Sequence, residues 1–201
     1  ENDKNYTTPS SIILGDGNTL EGSIYAQDET GRDTISSIEP LYKVIREGVV
    51  TWVSELPAES SGIVLIHEGE YTLCDTLKDA LADAQAGDTI EIHKDVAVIE
   101  SNAIDITDDN LTIKGIQKDD GSYPIIDLGE TIVGGQAGIL VQASGVTIQD
   151  LSITKTGNGD ALKFAQTGSG DSIQLLESGT VRNVTVSCAG GHALNIHGVT
   201  D

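Results

Sequence analysis

The chain contains no methionine, one tryptophan, one phenylalanine and only 3% aromatic residues among its 201 residues. A hydrophobic core must therefore be built from aliphatic side chains. Long apolar runs are also missing, and the run IVLI at 63–66 is far shorter than the roughly 20 residues that cross a bilayer as a helix. We therefore expect no membrane span.

Basic residues are scarce as well, with 11 Lys and Arg against 32 Asp and Glu and a formal net charge of -21. Such a chain is repelled by phosphate backbones and anionic lipid head groups, which excludes nucleic acid as an expected partner. Isoleucine, valine, threonine and 23 glycines are abundant instead. This composition favours short β-strands separated by many turns.

One helix is predicted over about 76–86. The apolar side chains recur at helical spacing on a single stripe, which consists of Leu77, Ala80, Leu81 and Ala84. Thr76 and Asp79 have the spacing of a capping box, and Gly87 stands where a helix commonly ends. The helix is amphipathic, so we expect its apolar face to cover a core.

After the helix, short apolar runs repeat with one pattern, in IKGIQK at 113–118, IQDLSI at 148–153 and VRNVTV at 181–186. The equivalent positions Ile113, Ile148 and Val181 predict an aliphatic ladder that runs from coil to coil. The third positions are Gly115, Asp150 and Asn183, residue types that reach left-handed backbone geometry at low cost. The repeats therefore predict a solenoid with these three residues at equivalent corners.

The segment YTLCDTLKDALADAQAGDTIEI resembles the N-terminal cap and first strand of right-handed parallel β-helices in the pectin-lyase-like superfamily. The resemblance implies an all-β fold, a right-handed parallel β-helix over 61–201 with an N-terminal amphipathic capping helix. Residues 1–60 are left as a separate β-rich segment, for which assembly is one role. The superfamily includes lyases, hydrolases, adhesins and structural proteins, so the resemblance implies no single activity.

An enzymatic interpretation rests on four residues. Polygalacturonase-like hydrolases of this superfamily use paired carboxylates and a histidine, and NGD at 158–160 and GGH at 190–192 resemble two of their motifs. The resemblance suggests Asp160, Asp171 and His192 as catalytic candidates, and Lys163 as the base of a lyase. The alternative is that these are turn residues at coil corners and, for Lys163, a solvated strand position.

Two pairs of acids are candidate calcium ligands, Asp108 with Asp109 and Asp119 with Asp120. Calcium binds several oxygens that converge from loops, and these pairs supply some of them. A complete calcium loop is missing, so the alternative is that the acids only solubilise the chain. We expect no cofactor other than calcium.

The two cysteines, Cys74 and Cys188, are separated by several coils of the predicted solenoid. A bond within one chain is disfavoured because a disulfide requires close Cα atoms. An intermolecular bond is the expectation that remains in an oxidising compartment.

Three N-x-T sequons are present, at Asn5, Asn110 and Asn183. We expect Asn5 and Asn110 to accept a glycan on an exported chain. A glycan on Asn183 would crowd the neighbouring coils if this residue occupies a corner.

The sequence starts at Glu1 rather than Met, which is typical of a processed N-terminus. Together with the acidity, this predicts a secreted or cell-surface protein. We expect a structural β-helix that associates with copies of itself, head to tail or through strand edges, as a subunit of a surface layer or sheath, or an adhesin-like module that contacts cell-surface glycans. The alternative is a polysaccharide lyase or glycoside hydrolase acting on acidic glycans.

Overall fold

The computed structural model describes residues 41–46, 49–53, 55–98, 103–130, 136–166 and 176–197, and three further short strands, Ile12–Leu14, Ile24–Ala26 and Ile35–Ser37. Two of the predicted site residues, Asn5 and Asp171, lie outside the described residues. Within this part of the chain, no helix has the length and apolar character needed to cross a membrane.

The strands before the helix are short and mostly antiparallel. They are β1 (Ile12–Leu14), β2 (Ile24–Ala26), β3 (Ile35–Ser37), β4 (Tyr42–Arg46), β5 (Val49–Val53), β6 (Ile63–His67) and β7 (Glu70–Cys74). β4 pairs antiparallel with β5 and parallel with β7, while β6 pairs antiparallel with β7. Of these strands, β2, β4, β5, β6 and β7 extend one sheet of the solenoid, because β6 also pairs with the first strand of the solenoid, whereas β1 and β3 form a separate two-stranded parallel sheet. The domain boundary at residue 60 remains a prediction.

The remaining strands form a β-solenoid of about four coils. Coil 1 holds β8 (Thr89–Ile92), β9 (Val96–Ala97) and β10 (Ile104–Ile106), and coil 2 holds β11 (Thr112–Gly115), β12 (Ile125–Asp127) and β13 (Ile139–Val141). Coil 3 holds β14 (Val146–Asn158) and β15 (Leu162–Ala165), and coil 4 holds β16 (Gly179–Gly190) and β17 (Leu194–His197). Each strand pairs in parallel with its equivalent in the next coil. The predicted all-β solenoid with parallel coils is confirmed.

The predicted ladder is confirmed in its register. Ile113 pairs with Ile148, and Ile148 pairs with Val181. Alternate residues of each strand point inward, as the burial of Ile90 and Ile92 in β8 shows. Each fully buried aliphatic side chain of this kind contributes about 1.5–3 kcal/mol relative to its exposure to water.

The three predicted corner residues follow equivalent positions in the register, because Lys114 pairs with Gln149 and Gln149 pairs with Arg182, but only two of the three have a left-handed backbone. Asp150 and Asn183 both hold left-handed φ angles, of 57° and 51°. Gly115 does not have a positive φ. It is required for a different reason, since a Cβ atom there would collide with the backbone carbonyl oxygen of Asp150 in the next coil. Close packing of two coils, rather than backbone conformation, explains this glycine.

A second line of corners precedes the first strand of coils 1, 2 and 3. Gly87 has a φ of 92°, Asn110 of 60° and Gly145 of 73°. Backbone amides at these corners donate to the next coil, as Gly87 does to Asp109 at 3.0 Å and Asn110 does to Ser144 at 2.8 Å. The sequence pattern did not indicate these corners because glycine alternates here with asparagine.

An α-helix, α1 (Leu77–Asp83), lies within the predicted range. The backbone amide of Asp79 donates to the Thr76 hydroxyl at 3.0 Å, so the capping interaction is present. Leu77 and Ala80 are buried, and the helix packs against β6 and β7. The helix is shorter than predicted because the backbone turns extended at Ala84.

Candidate functional site

The structure brings Asp160 and His192 together, although 32 residues separate them in sequence. Asp160 lies in the turn between β14 and β15, and His192 lies in the equivalent turn of coil 4. Oδ1 of Asp160 is 2.7 Å from Nδ1 of His192 and accepts from the His192 backbone amide at 3.0 Å. Oδ2 of Asp160 accepts from the side-chain amide of Asn195 at 2.7 Å. Both carboxylate oxygens are therefore bound by groups of coil 4.

The environment of Asp160 favours its ionised form. Burial acts to raise the pKa of this carboxyl group, but the hydrogen bonds from Asn195 and His192 outweigh burial, and the pKa is lowered. A carboxylate only accepts hydrogen bonds, so Nδ1 of His192 carries the proton that it shares with Asp160. The His192 side chain is 75% exposed, against 15% for Asp160. Nε2 is thus the ring nitrogen of His192 that is left to contact solvent or a ligand.

Lys163 lies close to this group in the sheet register, because it is the Cα partner of Asn195. Its side chain is half-buried on the outer side of β15, between the inward residues Leu162 and Phe164. With Asp171 outside the described residues, the described part of the site contains one carboxylate, Asp160. A general base at His192 is available, but the described residues do not assemble the carboxylate pair that inverting hydrolysis requires.

Asn195 was missed by the sequence analysis. It follows His192 by three positions, and it alternates with the inward residues Leu194 and Ile196 in β17. This alternation could have indicated Asn195, because it places the residue on the outer side of the coil. In the register, Asn195 pairs with Lys163 of the preceding coil.

A second polar cluster lies on the outer side of the sheet that joins the N-terminal strands to coils 1 and 2. The ring centroids of Tyr42 and Tyr71 are 5.9 Å apart, and those of Tyr42 and His93 are 6.4 Å apart. Glu91 contacts His93 at 3.0 Å and Lys114 at 3.0 Å. The sequence analysis missed this cluster because its residues come from four separate parts of the chain: β4, β7, β11, and the end of β8 with His93 directly after it.

Hydrogen bonds, charges and burial shift the pKa values of two residues in this cluster. The hydrogen bond from His93 lowers the pKa of Glu91, and Lys114 adds to this effect, although burial opposes it. Burial raises the pKa of Tyr42, and the charge of Glu91 raises it further. The ionised Glu91 therefore holds a histidine and a lysine on the outer surface.

The four acids suggested for calcium do not form a ligand group with their described neighbours. Oδ1 of Asp109 accepts from the backbone amide of Ser144 at 2.7 Å, which joins coils 2 and 3. Oδ1 of Asp120 accepts from the hydroxyl of Ser122 at 2.6 Å, and this bond lowers the pKa of Asp120. Asp108 is half-buried and Asp119 is exposed. The described residues contain no group of three or more His, Cys, Asp or Glu side chains placed to hold a metal ion. Calcium binding stays a prediction.

Both cysteines are free within the chain. Cys74 is buried, and burial raises the pKa of its thiol to about 11. Cys188 is half-buried and lies 3.2 Å from the carbonyl oxygen of Gly159. A bond between chains stays a prediction, and it requires Cys74 to leave its buried position.

The sequons at Asn110 and Asn183 both occupy exposed corners with left-handed backbone. The Asn110 side chain fills the space where a Cβ atom on Gly145 would lie. The crowding that argues against a glycan on Asn183 therefore applies to Asn110 as well. Glycosylation of Asn110 remains a prediction from the sequence.

Comparison with known proteins returns no match, whether with protein-family models, with curated protein sequences or with solved structures.

Proposed function

We propose that the chain is a structural β-solenoid module of an exported cell-surface protein, and that it associates with copies of itself as a subunit of a surface layer or sheath. An adhesin-like module that contacts cell-surface glycans is the closest variant of this role. In either case the function rests on a solenoid with polar outer faces rather than on a reaction.

The observation that carries this proposal is that the Asp160 carboxylate is bound by groups of the neighbouring coil. Its two oxygens accept three hydrogen bonds from coil 4. A carboxylate with both oxygens bound by the protein serves to join two coils, and it is poorly available to a substrate.

Other outer polar residues are used in the same way. Lys114 of coil 2 donates to Glu91 of coil 1, and Arg182 of coil 4 donates to Gln149 of coil 3 at 2.7 Å. Thr154 of coil 3 donates to Asp127 of coil 2 at 3.2 Å. Hydrogen bonds of this kind stabilise each interface between adjacent coils of a solenoid. Their number on the outer faces is consistent with a structural role.

The handedness and the cap belong to the same proposal. We infer that the coils are right-handed, since nearly all parallel crossover connections are. We also infer that α1 closes the N-terminal end of the core, with Leu77 and Ala80 as its buried contacts. The resemblance of the sequence to pectin-lyase-like β-helices supports both features.

The self-association rests on the surface of coil 4. Three of its inward-pointing residues are exposed to solvent, by 36% for Val181, 40% for Leu194 and 63% for Ile196. Solenoids normally cover such positions with another coil or a cap. We propose that a second copy supplies the cover, in a heterologous contact that propagates along an axis. Any further coils of a longer chain would occupy the same surface.

The experiment is size-exclusion chromatography with electron microscopy of the secreted chain, with and without calcium. Filaments or sheets are expected. A monodisperse monomer under both conditions contradicts the self-association.

A second candidate function is favoured by one observation, the exposed His192 ring held by Asp160. Both residues lie in the motifs that resemble those of polygalacturonase-like hydrolases, and Lys163 is the register partner of Asn195, which binds Asp160. Incubation with polygalacturonate, alginate and similar acidic polymers tests it, with reducing ends and unsaturated products as readouts. Activity that His192→Ala abolishes would replace the structural proposal. We expect none.

A further inference from the structure

Lys155 is an exception inside the aliphatic core of the solenoid. It follows the inward residues Leu151 and Ile153 of β14, and its side chain is 2% exposed. Burying an ammonium group costs several kcal/mol unless a partner compensates it. The ion pairs of the described residues do not include Lys155. A role beyond packing would explain a lysine at this position.

The residue directly above Lys155 in the next coil is Cys188. The two are Cα partners in the β14–β16 register, and Cys188 packs against the core cluster. Both side chains therefore extend inward from neighbouring strands, which lie about 4.8 Å apart in a sheet.

The amine and the thiol reach the same turn. Nζ of Lys155 donates to the carbonyl oxygen of Asn158. Sγ of Cys188 lies 3.2 Å from the carbonyl oxygen of Gly159. These are consecutive carbonyl groups, at the last residue of β14 and the first residue of the turn that follows it. The backbone thus holds a nitrogen nucleophile and an oxidisable sulfur at one corner of the interior.

We propose that Lys155 and Cys188 form a redox-dependent sulfenamide cross-link, which joins coil 3 covalently to coil 4. The proposal is independent of self-association. It rests on the pairing of a buried amine with a half-buried thiol, and it takes hydrogen peroxide as the oxidant.

The chemistry proceeds in two balanced steps. Peroxide oxidises the thiol to a sulfenic acid: an S–O bond forms, the O–O bond breaks, and one water leaves. The ammonium group of Lys155 releases one proton to water, and the resulting amine attacks the sulfur: an S–N bond forms, the S–O bond breaks, and the departing hydroxide takes a second nitrogen proton to leave as a second water. Sulfenic acids condense with a backbone nitrogen to a sulfenamide in this way, and here the lysine amine takes the place of the backbone nitrogen. The protein loses two hydrogen atoms, and a thiol reductant reverses the reaction.

Cys74 provides the internal comparison. It is buried, and its pKa is raised to about 11, so it has little thiolate to react with peroxide near neutral pH. Peroxide should therefore act on Cys188 first.

The experiment treats the full chain with hydrogen peroxide and measures intact mass, followed by peptide mapping. We expect a monomer that has lost two hydrogens, returns to the starting mass with dithiothreitol, and gives one peptide pair linked through residues 155 and 188. The variant Cys74→Ala keeps the product, which excludes an internal disulfide. The matched variant Lys163→Met also keeps it.

The decisive variants are Cys188→Ala and Lys155→Met, and the second removes the amine at nearly constant volume. The cross-linked mass should be absent in both, and Lys155→Met should gain oxygen atoms on Cys188 instead. If the unmodified chain itself gains only oxygen, or shows no change in mass, the proposal is overturned. That result does not depend on whether any variant folds.

Discussion

The side-chain amide of Asn183 donates a 2.8 Å hydrogen bond to the carboxylate of Asp150, one coil below it, and both residues have left-handed backbone. Asparagine and aspartate tolerate this conformation better than other residues with a Cβ atom. At the corner, backbone conformation and side-chain bonding thus select the same residue types.

Replacement of Asn183 tests the two contributions separately. Asn183→Ala loses the hydrogen bond and adds backbone strain, so the free energy of unfolding should fall by about 1–2 kcal/mol. Asn183→Gly also loses the hydrogen bond but relieves the strain, so its free energy of unfolding should decrease by less. Urea unfolding followed by circular dichroism measures both. Equal losses in the two variants would contradict the role of the left-handed backbone.

Gly115→Ala should destabilise the solenoid by more than either corner variant, because its Cβ atom would meet the backbone carbonyl of Asp150. We expect a loss of about 1–3 kcal/mol or more, typical of overpacking against atoms that cannot move aside. The matched control is Gly129→Ala, where no atom lies within 4 Å of the added Cβ and the loss comes only from backbone strain at a φ of 54°. The same urea experiment compares them, and a larger loss for Gly129→Ala would show that the coil spacing is wrong.

Acid should weaken the joint between coils 3 and 4. The pKa of Asp160 is lowered in the folded chain because the hydrogen bonds from Asn195 and His192 outweigh burial. A lowered pKa gives stability that is complete above the unfolded value of about 3.9 and is lost as the pH falls through the folded value. We expect the urea concentration at the unfolding midpoint to decrease as the pH is lowered from about 6 to about 2. The decrease should be smaller in Asp160→Asn than in the unmodified chain.

The control for this acid dependence is Asp105→Asn, at an exposed position of β10. It should retain the full acid dependence of the unmodified chain. If Asp160→Asn and the unmodified chain lose stability in parallel, Asp160 does not carry the effect.

Thiol labelling should distinguish the two cysteines. In the reduced, folded chain a maleimide should react with half-buried Cys188 many times faster than with Cys74, whose thiol is buried with a pKa of about 11. Mass mapping of the labelled peptides over time gives both rates. Faster labelling of Cys74 would place it outside the core, and would favour its predicted role in a bond between chains.

The fold could be predicted from the sequence because its repeats are local. The pattern shared by IKGIQK, IQDLSI and VRNVTV aligns Ile113, Ile148 and Val181, and the structure pairs those residues. The helix was also predicted from a local pattern, in which apolar residues recur at helical spacing from Leu77 and Thr76 stands at the N-cap.

The candidate site could be predicted only in part. Two motifs indicated Asp160 and His192, but Asn195 has no motif, and its contact with Asp160 depends on the length of the coil between them. The Tyr42, Tyr71 and His93 cluster depends on the N-terminal strands joining the sheet of coil 1, a long-range pairing that no local pattern encodes. Gly115 shows the same limit, since the reason for that glycine lies in the neighbouring coil.

Sedimentation velocity over a wide range of protein concentration tests the central claim, a structural module that associates through its solenoid end, most directly. The account predicts species that grow with concentration, and their loss in Ile196→Asp, which places a charge on the exposed end of the core. The matched variant Ile125→Asp, at an exposed position on the side of coil 2, should behave like the unmodified chain. A single monomeric species of the unmodified chain at every concentration would contradict the account.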